Sequence, residues 1–321
     1  MRKIFLIFLL ILLCGYSYCF CQTRDEKMER TLEALKGTSS VSVYSGYDSN
    51  VQLAPQRKGD VFEEFRYSYN LSTPFGTGTK ILLNYDLDYL NYNEVTDASN
   101  LLNHLRLSIQ KKLKGFSLGT GYDFSFFYYP KDEDSDFLFH KGFVYLRNYI
   151  SRTFYQQLLA EYGLKQHTDQ KALSGSIFVL QEKERVDTRE SIEYSLGSTY
   201  WPKLFLGLKT RFSFNDSNAS YQNFYDYKSY AITPTIEYGL TDNLKLLSYF
   251  TYTRRNYTDR LVSGGTEKEK DNIYAAQVGL RYRLNKQNAL SLFYTYRDNS
   301  TNEPLEKYTE NVMSCSWQYN F

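Results

Sequence analysis

The chain has 321 residues, is 17% aromatic with 32 Tyr and 22 Phe, and still has a mean hydropathy of −0.52. Its formal charge of +2, with no basic stripe, argues against a nucleic-acid partner. So many rings in so polar a chain do not suit an ordinary soluble domain, whose core would draw on Leu, Ile and Val; they suit a sheet with an aromatic face toward lipid and a polar face toward water.

At the N-terminus, Arg2 and Lys3 precede an unbroken apolar run from Ile4 to Leu13. This is the pattern of a secretory signal peptide, too short to span a membrane as a helix. Residues 1–21 read as that signal, cut after Cys21 with Cys19 and Cys21 at the recognition positions. A lipidation site would want a small residue before its cysteine, whereas Cys14, Cys19 and Cys21 follow Leu13, Tyr18 and Phe20. Cys315 is then the one cysteine of the mature chain, which excludes an internal disulfide. Residues 22–39 are charged and read as a short periplasmic segment, frayed or a single helix.

From Ser40 the pattern turns to a period of two, the signature of strands with two different faces. Alternating segments fall near 40–51, 61–72, 78–91, 101–112, 116–129, 137–150, 154–167, 187–200, 204–215, 226–240, 244–256, 271–284, 288–298 and 310–321. The expected number of strands is about fourteen, within a range of about 12–16. Short connections such as Trp201-Pro202-Lys203 alternate with longer polar ones, the longest near 168–186. A soluble sandwich has no reason to alternate turn length; a membrane barrel does. Residues 40–321 therefore read as an all-β, transmembrane, antiparallel up-and-down β-barrel with both termini periplasmic.

Faces follow from the alternation. Ile81, Leu83, Tyr85, Leu87 and Tyr89 are expected to meet lipid, with Asp86 and Asp88 inside. Asp123 falls inside its strand, as do Lys209 and Arg211, Arg281 and Arg283, and Arg297. Charge avoids the lipid side because Arg or Lys at the bilayer midplane costs about 2–4 kcal/mol. Closing the sheet would set an acidic wall (Asp86, Asp88, Asp123) across from a basic one. Those charges either put a field across a water-filled lumen or fill a narrow lumen as ion-paired ladders. The 168–186 stretch, with Ile177-Phe178-Val179-Leu180, folds inward as a constriction or extends the sheet as a hairpin.

No catalytic residue, metal site or cofactor is expected. His104, His140 and His167 lie on separate strands, without metal-ligand spacing. Asp132-Glu133-Asp134-Ser135-Asp136 lacks the glycine and terminal glutamate of a calcium loop and reads as a solvated loop tip. Aromatics near strand ends, among them Tyr128, Tyr129, Trp201, Tyr249, Tyr252, Trp317 and Tyr319, suit interfacial girdles. Tyr221, Phe224, Tyr225 and Tyr227 are the best cluster for a carbohydrate platform.

In the last segment Met313, Cys315, Trp317, Tyr319 and Phe321 share one side, and Val312, Ser314, Ser316, Gln318 and Asn320 the other. This ending resembles the terminal strand of bacterial outer-membrane β-barrels, and residues 40–321 resemble that broad class, porin families included. The resemblance implies a Gram-negative outer membrane, membrane lipids and the barrel assembly machinery as partners, and Trp317, Tyr319 and Phe321 as the assembly signal. The expected function is a narrow porin-like channel for small polar solutes or ions. Its alternative is a structural, adhesive or export-associated barrel with a plugged lumen and no conductance, and a barrel hydrolase is a distant third.

Overall fold

The computed structural model describes residues 36–174 and 179–321. The expected signal peptide, and the segment after it up to residue 35, lie outside the described residues. Fourteen strands follow in order: β1 Lys36–Asp48, β2 Asp60–Pro74, β3 Thr79–Tyr92, β4 Asn100–Lys112, β5 Phe116–Tyr128, β6 Phe137–Tyr149 and β7 Phe154–Ser174. Then come β8 Val179–Ser198, β9 Leu204–Ser217, β10 Tyr227–Gly239, β11 Leu244–Leu261, β12 Lys268–Arg283, β13 Asn288–Thr301 and β14 Tyr308–Asn320. Each strand neighbours the next, and β1 pairs antiparallel with β14, so the sheet closes into a barrel without edges. The first strand starts at Lys36 rather than at Ser40. Its Lys-Gly-Thr-Ser opening carries no apolar alternation from which that start could be read.

Among the described residues, the connections at one rim are tight turns, and those at the other include four short 3₁₀ segments. Gly76 and Gly78 sit at φ +75° and +71° in the β2–β3 turn, a backbone region that favours glycine. The described part of the stretch expected as the longest loop continues two strands, with irregular pairing. β7 and β8 run for 21 and 20 residues, well past the ~9–11 that a tilted strand needs to cross a bilayer. Lys171 pairs with Glu184 and Ser174 with Val179 after shifts in register. Over the described residues 168–174 and 179–186 the chain takes the form of the hairpin extension, while Ile177 and Phe178 lie outside the described residues.

Cross-strand register sorts every side chain. On β4, Leu105, Leu107 and Ile109 point outward opposite Phe124, Tyr122 and Thr120 of β5, and on β13 Leu290, Leu292 and Tyr294 do the same. A belt this apolar would be a liability in water and is the contact surface in lipid. Lipid supplies no partner for an amide, and the oxygens of four outward-facing amides accept a hydrogen bond from neighbouring rings. The Tyr85 hydroxyl donates to Asn103 Oδ1 at 3.0 Å, Tyr252 to Asn272 at 2.9 Å and Tyr294 to Asn311 at 2.7 Å. Trp317 Nε1 donates to Asn288 Oδ1 at 3.0 Å. Tyr249, expected in the girdle, instead points inward opposite Thr235 and Gln277. Around it, Leu246-Leu247-Ser248-Tyr249-Phe250 is apolar on both parities, so its period cannot be read.

Inward-facing aromatics lie along the wall instead of reaching for the barrel axis. Tyr145 covers Gly119 directly across the β5–β6 pair, Phe143 covers Gly121, Tyr155 covers Gly197, and Phe293 covers Gly279. Each ring takes the space that a Cβ on the glycine would need. Glycine opposite an aromatic thus keeps bulky rings flat and leaves the central space to polar side chains.

Candidate functional site

The inner wall carries the chemistry, and register builds it pair by pair. On β2 and β3, Arg66 stands opposite Asp88 and donates through Nε at 2.8 Å, while its Nη2 reaches Glu64 at 2.7 Å. Asp86 is opposite His104, whose Nδ1 lies 3.5 Å from Oδ2; His104 Nε2 is 3.7 Å from Asp123. Asp123 faces Arg106 on one side and Lys141 Nζ, at 3.0 Å, on the other. Lys141 also donates to Glu161 at 2.9 Å. Arg211 Nη2 reaches the second oxygen of Glu161 at 2.5 Å and, through Nε, lies 3.4 Å from Glu193 directly opposite. The band occupies consecutive strands from β2 to β9. Further round, Arg255 pairs with Asp271 at 3.5 Å and Arg297 with Glu310 at 3.1 Å.

The residues singled out in the sequence take up these places. Asp86, Asp88, Asp123, Lys209, Arg211, Arg281, Arg283 and Arg297 all face inward; Trp317, Tyr319 and Phe321 lie on the outer side of β14 with Met313. The acidic residues do not form a wall facing a basic one across the lumen. Arg66, His104, Arg106 and Lys141 neutralise them on their own side, and Glu161, Glu193 and Glu310 do the same for Arg211 and Arg297. Arg66, Glu161, Glu193 and Glu310 are not among the residues singled out in the sequence, and their pairing depends on register, which alternation does not carry. Arg281 bonds to the Gln318 amide, Arg283 to the Asp242 carbonyl at 3.0 Å, and Lys209 has no ion pair among the described residues.

At the rim of longer loops the aromatic cluster is already covered. The Arg185 guanidinium lies 3.2 Å from the Tyr225 ring centre while its Nη2 holds Asp187 at 2.5 Å, and Arg260 lies 4.2 Å from Phe224. Arg255 stacks on Tyr227 at 4.7 Å. Those faces serve cation–π packing, which leaves them unsuited to a sugar platform. Nearby, burial pushes the Asp226 carboxyl up to about 6, helped by the Asp216 carboxylate and opposed by the Ser217 N–H that donates to it at 2.8 Å. Asp136 of the acidic loop accepts the Tyr129 N–H at 2.6 Å.

Residues 206–321, from within β9 to the end of β14, match the family described as "Putative beta-barrel porin 2". Among solved structures, outer-membrane expressed OmpT of Vibrio cholerae superposes with a TM-score of 0.53 at 10% identity, over 94% of this chain and 99% of that one. A FadL homologue of Pseudomonas aeruginosa gives 0.50 at 9% identity, over 88% and 90%. No curated protein matches the chain. The closed fold, its apolar belt and the family match over its last third make this a β-barrel of the bacterial outer membrane.

Proposed function

We propose that the barrel is a narrow, passive channel for small polar solutes or ions. The observation that carries this reading is the exposure of charge midway along the inner wall. Arg66, Arg106 and Arg211 keep 41%, 39% and 41% of their side chains open even though each is ion-paired. A lumen packed solid with side chains would bury them; these guanidinium groups border space wide enough for water. Flattened aromatics on inward glycines work in the same direction.

A passive role also suits the histidines. His104 is bracketed by Asp86 and Asp123, and His140 lies on the lipid face against the Tyr122 hydroxyl. The test is purified, folded protein in planar lipid bilayers. Discrete conductance steps are the expected result. A reproducible absence of steps would favour a structural or export-associated barrel with a closed lumen.

A further inference from the structure

We propose that the channel is an anion filter, set by cations that overhang its carboxylates and by two basic arcs at the short-turn mouth; this rests on the channel reading above. The formal composition hides the bias, because acidic and basic residues are nearly equal in number over the whole chain. What a passing solute meets differs from what the chain contains. Asp123, Glu161 and Glu310 are 3%, 7% and 4% exposed, against 39%, 41% and 45% for their partners Arg106, Arg211 and Arg297. Short carboxylate side chains lie in the floor of the wall, and the longer arginine stems arch over them with the charge outermost. Asp86, at 37%, is the exception.

The mouth removes even the recessed balance. Inward positions within three residues of a short turn carry Lys80, Lys112, Arg147, Lys245, Arg281 and Arg283, against the single carboxylate Glu237. None of the six makes an ion pair among the described residues, although Arg283 sits beside the turn carboxylate Asp242; Arg147 stacks on Tyr155 and bonds to Gln157. They fall in two arcs, one on β3, β4 and β6 and one on β11 and β12, either side of the mouth. Between the first three short turns the rim also holds an open cavity of about 630 Å³, lined by Lys80, Lys112 and Arg152 and by no carboxylate. Charges of one sign around a low-dielectric constriction concentrate counter-ions of the other. The solutes favoured are chloride, inorganic phosphate and small carboxylates.

The experiment is the reversal potential of single channels under a tenfold KCl gradient. Wild type should pass chloride about threefold or more over potassium. Replacing Lys80, Lys112 and Lys245 together by Glu should bring the ratio to unity or below, whereas Lys131→Glu in a long loop should leave it unchanged. Wild-type potentials of cation sign, or of zero, overturn the filter without any variant having to fold, and so does an equal effect from Lys131→Glu. A folded protein with no current at all overturns the channel reading, which separates the two failures.

Discussion

Arg106 and Asp123 stand directly across from each other on β4 and β5, joined by two hydrogen bonds, Nε to Oδ1 at 2.5 Å and Nη2 to Oδ2 at 2.8 Å. The carboxylate is nearly buried and also receives Lys141 and His104, so it is the centre of the inner-wall band. Loss of Arg106 leaves two cations on Asp123 and affects a side chain partly screened by water, so Arg106→Met should cost about 1–2 kcal/mol. Asp123→Asn strips the partner from three cations and should cost more, about 2–4 kcal/mol. Urea unfolding in lipid vesicles, followed by tryptophan fluorescence, checks the order; a larger effect from Arg106→Met would be inconsistent with this geometry.

Gly163 is the place to test how the rings are kept flat. A methyl there would lie 2.8 Å from Phe139 Cε2, so Gly163→Ala should lift the Phe139 ring off the wall into the lumen. The expected outcome is a fall in single-channel conductance of about 20–50% and a stability loss of about 1–2 kcal/mol. Adding Phe139→Ala should restore the conductance. A double variant that conducts no better than Gly163→Ala would mean the ring is not the obstruction.

The loop between β9 and β10 should respond to pH through Asp226. Its folded value, about 6, lies above the ordinary 3.8, so the folded loop holds a proton that the unfolded loop releases. That stabilisation is fully present below the ordinary value and is lost as pH rises through about 6. The loop should therefore resist proteolysis better at acidic than at neutral pH, and Asp226→Asn should flatten the dependence. A carboxyl titration by NMR with a midpoint near 3.8 would contradict the assignment.

Charge placed on the two faces of one strand should have opposite consequences. Leu107→Arg puts a cation into lipid and should cost about 2–4 kcal/mol. Ser108→Arg, one residue on, points into the lumen and should change conductance far more than stability. Unfolding and conductance measured on both variants decide this; equal stability losses would count against the assigned faces.

Much of this architecture was legible because a period of two needs only the chain itself. Asp86 against Leu87, or Arg281 against Leu280, declares which side meets lipid. Pairing was not legible, because sliding β4 against β5 by two residues preserves every face while separating Arg106 from Asp123. Turn geometry sets that register, and it is invisible in the alternation. The β7–β8 extension was missed for a related reason: Thr168-Asp169-Gln170-Lys171 has no apolar face, yet it continues β7 across a break in register to the Lys171–Glu184 pair. The exposure of arginines over recessed carboxylates is a property of reach and needs coordinates.

The central claim is that neighbouring residues of one strand meet oil and water in turn, and spin labels report this most directly. Nitroxides placed singly from Leu105 to Ile109 should alternate, with 105, 107 and 109 relaxed by lipid-soluble oxygen and 106 and 108 by a water-soluble nickel complex. Uniform accessibility along the five positions, or the opposite phase, would contradict it.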